Sequence, residues 1–417
     1  MNAGNAATKD KPLGYLFRND LYDGFGTWPL GYIPYGGADF GEVQAVVQAI
    51  GDGGDAAYYS AWTSVAAHLE ADAAEAEQKG RIHSARELYL KASAFYATSY
   101  HPIYGDPVDP RLLTAFRKQV ETLDKGLGLL AQPVAPMRIP FEETSMPAYL
   151  IPALGLEREA RPLIIFTNGY DGTITDMYFA SAVAASRRGY HCLLFDGPGQ
   201  GEMLYEHSIC LRPDWETVVA AVVDFALSLP NIRTEQIALS GWSLGGHLAP
   251  RAASGEHRIA ALIADPGIWS ICGMFRDFAV HTLDVAPEAA ADLGALEQPL
   301  LDRMDRIINS NPALRWKVVQ RGYWVHGVDN LRDYLISAER FTMDGRAELI
   351  RCPTLLTRAE NDSLASGTSA FFDVLGSPKA LMRFGASEGA GDHCEMMNRT
   401  LLNRKVLDWL DELFHPA

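Results

Sequence analysis

A serine hydroxyl is a weak nucleophile unless a neighbouring base takes its proton. The serine best placed for that chemistry is Ser243, in Gly241-Trp242-Ser243-Leu244-Gly245-Gly246. An apolar, strand-like run, Ile237–Ser240, precedes it, and a helical pattern from Gly246 to Ala253 follows. Strand, sharp turn and helix are the context in which a G-x-S-x-G segment exposes its serine. The glycines allow backbones to approach closely, and the turn strains the serine itself. The following helix N-terminus favours negative charge near the hydroxyl. A serine in an ordinary turn is the plain alternative, and the flanking strand and helix weigh against it.

The base should be a histidine in a loop at the strand ends. Those after Ser243 are His247, His257, His281, His326, His393 and His415. His393 fits, in the glycine-rich Glu388-Gly389-Ala390-Gly391-Asp392-His393-Cys394-Glu395, between the strand-like Lys379–Phe384 and a final helix expected over Arg404–Phe414. His247 falls on the helix after Ser243 and His415 in the tail. A loop histidine that caps the final helix is the plainer role for His393. In chain order the acid comes between serine and histidine. The run Pro353–Thr357 reads as the preceding strand, and Arg358-Ala359-Glu360-Asn361-Asp362 follows it. Asp362 is the expected acid and Glu360 the second choice. A carboxylate there would fix the histidine tautomer and stabilise the imidazolium.

An oxyanion needs two backbone amides. One is expected from Leu244, the residue after the nucleophile. The other is expected from the loop Asn168-Gly169-Tyr170-Asp171-Gly172-Thr173, from Tyr170 or alternatively Gly169. Trp242, Asp171, Asp265, Trp269 and Tyr323 are the candidate substrate contacts. A second glycine loop, Asp196-Gly197-Pro198-Gly199-Gln200-Gly201-Glu202, has a spacing that could suggest a dinucleotide site. Its proline interrupts that pattern and no helix is expected to open within it, so the loop is expected only to shape the floor near Ser243.

These residues need a frame. Pro162–Thr167, Tyr190–Phe195, Gln236–Ser240, Ile259–Ile263 and Thr354–Thr357 are short apolar runs. Helical stretches at Asp176–Arg188, Trp215–Leu229 and Gly246–Ala253 separate them. Buried strands alternating with helices imply a mainly parallel, doubly wound sheet. Met137–Phe141 and Pro147–Ile151 read as a strand pair ahead of it. Helices are expected over Ala61–Gln78, Ser84–Tyr100 and Arg111–Gly126, whereas residues 12–60 read as loops with one helix near Phe40–Ile50. Asp265 to Arg351 breaks the rhythm and is helical and rich in aromatics. The expected organisation is a disordered tail over 1–20, a helical N-terminal domain over 21–132, a core in two parts, 133–268 and 350–417, and a helical cap inserted at 269–349.

The chain has 417 residues, 48% hydrophobic and 21% charged, with a net charge of -16. Such acidity argues against a nucleic-acid partner. No apolar run is long enough for a membrane span. Met1 to Lys11 lacks an apolar signal core. Five scattered cysteines, Cys192, Cys210, Cys272, Cys352 and Cys394, read as reduced thiols of a cytoplasmic protein, and their spacing suits no zinc site.

The four quoted loops together resemble the α/β-hydrolases, and within them the bacterial 2,6-dihydropseudooxynicotine hydrolase and the fungal polyketide-shortening hydrolases of melanin pigment pathways. Phe341-Thr342-Met343-Asp344-Gly345, Ile350-Arg351-Cys352-Pro353-Thr354 and Ser84-Ala85-Arg86 add to the resemblance. It implies an α/β-hydrolase fold with a helical domain over the active site, and a Ser243, Asp362, His393 triad. It also implies a small-molecule substrate, often cleaved at a C–C bond next to a ketone, and a homodimer. Some members use an extra carboxylate in substrate activation, for which Asp265 is the candidate. No metal or organic cofactor is expected. The same triad would serve an esterase, thioesterase or amidase, or an acyl-transfer or cyclisation enzyme; a non-catalytic binding protein on the same scaffold is the remaining alternative.

Overall fold

The computed structural model describes residues 15–414. Eight strands form one sheet: β1 (Met137–Phe141), β2 (Thr144–Ile151), β3 (Arg161–Thr167), β4 (His191–Phe195), β5 (Ile232–Trp242), β6 (Ala261–Asp265), β7 (Thr354–Ala359) and β8 (Lys379–Phe384). Their order is β1-β2-β4-β3-β5-β6-β7-β8. The β1–β2 hairpin and the β2–β4 pair are antiparallel, and every later pair is parallel. Strands β4 and β6 bury every residue and β3 nearly so, as strands covered on both faces must. Register aligns Thr167 with Gly241 and Trp242 with Asp265. The chain therefore leaves β3, β5 and β6 at one level, on the carboxyl edge where open α/β sheets hold their ligands.

Helices Asp55–Gln78, Ile82–Ser99 and Pro110–Gly128 pack on one another and join the core of the sheet. Trp62, Phe95, Leu112 and Phe116 share one apolar cluster with Leu163, Leu239 and Val219. The stretch 12–60 is more helical than its glycines and prolines suggest. Besides Phe40–Ile50 it holds helices Asp20–Gly26 and Trp28–Tyr32. Asn19 caps the first by accepting from the Leu21 and Tyr22 amides, and buried Tyr22, Phe25 and Tyr32 anchor the pair. Packing has overridden local propensity.

The tail expected over 1–20 fails at its C-terminal end, and residues 1–14 lie outside the described residues. The amides of Tyr15, Leu16 and Phe17 donate to the Asp23 carboxylate at 3.0, 2.7 and 2.9 Å, and the Phe17 ring is buried. The helix expected over Asp176–Arg188 contains a π turn at Tyr178–Ala182 between Ile174–Met177 and Val183–Arg187. The final helix starts at Arg399, five residues before the expected Arg404.

Between β6 and β7 the chain forms helices that include Gly273–Leu283, Gln298–Ser310 and Leu331–Glu339. They have their own apolar cluster of Leu283, Leu301, Met304, Ile308 and Leu335. A bridge between Ser270 and Thr342 brings the two ends of this insertion together. Among the described residues no helix is long and apolar enough to cross a membrane.

Candidate active site

Ser243 leaves β5 with φ of 58°, a left-handed conformation that a side chain rarely tolerates. Its amide is held by the Asp265 carbonyl at 2.7 Å. The turn is so tight that a Cβ on Gly241 would lie 1.8 Å from the Gly245 carbonyl oxygen, so only glycine fits there.

The loops after β7 and β8 meet this serine. His393 Nε2 lies 2.9 Å from Ser243 Oγ, and His393 Nδ1 lies 2.7 Å from Asp362 Oδ2. With an ionised Asp362 as acceptor, Nδ1 carries the proton and the Nε2 lone pair faces the hydroxyl. The Asp362 side chain is 3% exposed, and its second oxygen accepts the Leu364 amide at 2.9 Å. The His393 side chain is 37% exposed, in contrast to the buried Asp362. Glu360 is elsewhere: its carboxylate accepts the Ala386 amide at 2.7 Å.

Among the described residues, none of the other candidate histidines bonds Ser243 Oγ. His247 is buried against the Ile268 carbonyl, and burial lowers its pKa to about 4. His326 pairs with the Tyr170 hydroxyl, His257 and His281 are exposed, and His415 lies outside the described residues.

The loop after β3 runs beside the serine turn. A Cβ on Gly169 would fall 2.7 Å from Ser243 Cβ and 2.9 Å from the Leu244 nitrogen, so this approach requires glycine. Gln200 fixes the loop from behind. Its Nε2 donates to the Asn168 and Gly169 carbonyls at 2.8 and 3.2 Å, while its Oε1 accepts the Gly197 amide at 3.0 Å. A trans peptide points C=O and N–H in opposite directions. Holding the Gly169 carbonyl towards Gln200 therefore turns the Tyr170 N–H away from it. The Asp196-to-Glu202 loop thus does more than shape a floor. A short helix, Gly201–Tyr205, opens within it, against expectation. Its Glu202 pairs with Arg138. Burial raises the Asp196 carboxyl to about 8, and Asn168 Nδ2 donates to it at 2.9 Å.

The expected substrate contacts are mostly engaged by protein. Asp265 is not a free carboxylate: it is 4% exposed, accepts from Thr357 Oγ1 at 2.7 Å and pairs with Arg399 at 3.1 Å. Its carboxylate is thus committed to Thr357 and Arg399, while its carbonyl holds the Ser243 amide. Asp171 pairs with Arg321 of the insertion at 2.7 Å. The Arg321 guanidinium in turn lies 4.4 Å from the Tyr170 ring centre. Trp242 is buried, its ring 5.2 Å from Trp28. Trp269 packs on Phe371 at 5.8 Å and Tyr323 on Tyr334 at 5.7 Å. The Cys394 thiol lies 3.4 Å from His393 Nε2, yet burial raises its pKa well above the ordinary value and keeps it from thiolate reactivity. Arg321 and Arg399 carry no sequence signal that marks them, His326 figures only among the candidate bases, and Gln200 only as part of a quoted glycine loop. Among the described residues no group of three or more acidic, histidine or cysteine side chains is placed to hold a metal ion.

A mainly parallel sheet, a serine on a strained strand-to-helix turn, and a carboxylate and histidine from the loops after β7 and β8 define an α/β-hydrolase. The chain belongs to that family: the Alpha/beta hydrolase family model matches residues 164–397. It is 31% identical over 405 residues to Hydrolase LUC6 of Fusarium sp, covering 92% of this chain and 94% of that protein. It is 30% identical over 414 residues to 20-hydroxy-prefusarin hydrolase FUS2 of Gibberella moniliformis, covering 96% and 98%. The solved 2,6-dihydroxy-pseudo-oxynicotine hydrolase shares the fold, with a TM-score of 0.72, 22% identity, and coverage of 92% of this chain and 95% of that one. The resemblance drawn from the motifs thus holds for the fold and for a kinship with fungal hydrolases.

Proposed function

We propose that the protein is a serine hydrolase in which Ser243 is the nucleophile, His393 the general base and acid, and Asp362 the orienting carboxylate. The observation that carries this reading is the unbroken chain from Ser243 Oγ to His393 Nε2 at 2.9 Å and from His393 Nδ1 to Asp362 at 2.7 Å. His393 takes the hydroxyl proton as Ser243 attacks a carbonyl carbon. The developing oxyanion is held by the Leu244 and Tyr170 amides, with Gly169 as the alternative to the latter.

For the scissile bond we propose a C–C bond next to a ketone in a polyketide-like molecule. The motif resemblance supports that choice, and so does the near full-length kinship with a fungal hydrolase named for 20-hydroxy-prefusarin. Carbon leaves as an anion only when it is stabilised, so collapse of the tetrahedral adduct expels an enolate or phenolate. His393 returns the proton to the leaving group. Water, deprotonated by His393, then attacks the acyl-enzyme, releases the acid and regenerates Ser243.

The test is mass spectrometry of products from wild type and Ser243→Ala with an aryl β-diketone and a matched aryl ester. Acid plus ketone from the diketone, dependent on Ser243, is the expected result. Cleavage of the ester alone would transfer the same triad to an esterase reading.

A further inference from the structure

We propose that Arg399 is a positioning residue that holds His393 in reach of Ser243; this rests on the triad reading above. Arg399 is 3% exposed and makes four hydrogen bonds. Nη1 donates to Asp265 Oδ2 at 3.1 Å and to the Cys394 carbonyl at 2.7 Å. Nη2 donates to Ser181 Oγ at 2.9 Å and Nε to the Ala180 carbonyl at 3.2 Å.

The first two bonds join the two halves of the site. Asp265 ends β6, and its own carbonyl holds the Ser243 amide at 2.7 Å. Cys394 is the residue after His393. One guanidinium nitrogen thus ties the backbone of the base to the strand end that fixes the nucleophile.

Two further features show that this tie works against a backbone preference. Cys394 and Glu395 are consecutive non-glycine residues with φ of 55° and 48°. Such a conformation persists only where the surroundings over-determine it. Part of that constraint is Arg399 on the Cys394 carbonyl. Another part comes from the N-terminal helix Trp28–Tyr32: a Cβ on Gly31 would lie 2.4 Å from the Met396 carbonyl oxygen and 3.3 Å from Arg399 Cγ.

The anchor on the far side is also specialised. The π turn at Tyr178–Ala182 shifts the helical ladder, and the Ala180 carbonyl accepts from both Arg399 Nε and, at 2.8 Å, Asn403 Nδ2. The Glu395 carboxyl is buried beside Asp265, with one oxygen lacking a partner. A buried Asp265 stripped of Arg399 would therefore face another carboxyl with no cation. The Cys394–Glu395 kink would relax, and His393 would swing with it. Displacements of an ångström at reacting groups cost on the order of a hundredfold in rate.

The test uses the full-length protein and a fluorophosphonate probe, with the second-order rate of Ser243 labelling followed by intact mass across pH, and thermal unfolding in parallel. Arg399→Lys keeps the charge but cannot serve all four acceptors. Arg399→Met combined with Asp265→Asn removes both charges, so no ion is left buried and unpaired. Both are expected to be folded at the assay temperature and to label at least about tenfold more slowly at every pH, because geometry and not His393 protonation is lost. A folded variant that labels within about twofold of wild type overturns the proposal. Unfolding of both variants overturns it too, since Arg399 would then serve the fold rather than the site. Wild type that does not label at Ser243 would instead sink the hydrolase reading itself.

Discussion

Gln200 donates from its side-chain amide to the Gly169 carbonyl at 3.2 Å, and the peptide it holds is the one whose N–H belongs to Tyr170. Removing the donor frees that peptide to rotate without touching Ser243, His393 or Asp362. Gln200→Ala is therefore expected to lower kcat by about tenfold to a hundredfold, short of the effect of deleting an oxyanion donor outright. KM should change much less, because the lost interaction matters most in the transition state. Steady-state kinetics on any ester the enzyme turns over will check it. An unchanged kcat would mean that Gln200 does not orient the Tyr170 amide.

The acid can be settled by paired substitutions. Asp362 lies 2.7 Å from His393, whereas Glu360 is bound to the Ala386 amide. Asp362→Asn should lose about four decades in kcat through the wrong histidine tautomer. Glu360→Gln should stay within a few-fold of wild type. Ser243→Ala should abolish covalent labelling while keeping the native circular dichroism. If Glu360→Gln is the crippled variant, the two acids must be exchanged.

Much of this was legible in the sequence because it follows from local rules. The apolar runs at Pro162–Thr167 and Tyr190–Phe195 are strands since both faces are covered, and the G-x-S-x-G turn declares itself by its flanks. The chain order serine, acid, histidine led to the loops after β7 and β8, where His393 and Asp362 lie 2.7 Å apart. What escaped were contacts between distant segments. Arg399 lies between the quoted glycine-rich loop and the expected final helix, in a stretch assigned no element, and its partners Asp265, Ser181 and Cys394 come from three separate elements. Gln200 stands inside a quoted motif, but its role depends on a carbonyl thirty-one residues away in the chain. Helices Asp20–Gly26 and Trp28–Tyr32 were hidden because glycine and proline argue for turns until tertiary packing is known.

Acid should loosen the contact between the insertion and the loop after β3. His326 Nε2 is 2.7 Å from the Tyr170 hydroxyl and Nδ1 is 2.8 Å from Ser337 Oγ. Burial, aided by the Arg321 charge, lowers its pKa to about 3. The folded state thus holds His326 neutral while the unfolded chain protonates it near 6.5. The stability this contributes is complete above pH 6.5 and is lost as pH falls towards 3, with a slope of at most about 1.4 kcal/mol per pH unit. His247, lowered to about 4, adds in the same direction. Asp196, raised from 3.8 to about 8, acts oppositely: its share is complete below pH 3.8 and is lost as pH rises towards 8. Unfolding midpoints at pH 6.5, 5.5 and 4.5 should fall less steeply for His326→Gln than for wild type. Parallel curves would show that His326 is not held neutral.

A close approach between the loop after β3 and the serine turn makes the sharpest prediction. Gly169 has no room for a methyl group: its Cβ would stand 2.7 Å from Ser243 Cβ, 2.9 Å from the Leu244 nitrogen and 3.0 Å from the Trp242 carbonyl oxygen. All three atoms belong to the serine turn, which is itself locked by the Asp265 carbonyl and by Gly241 against Gly245. The turn cannot give way, so Gly169→Ala must push the loop after β3 outward. The Tyr170 amide would then leave the place that its proposed role as oxyanion donor requires, while the Ser243–His393–Asp362 chain stays intact. Activity should fall by about a hundredfold to a thousandfold, the usual cost of losing one oxyanion donor. The pH dependence of the remaining activity should match wild type, because His393 is undisturbed. A Gly169→Ala enzyme with near-native turnover would place the second donor elsewhere. A shifted pH profile would show that the displacement reaches His393 instead.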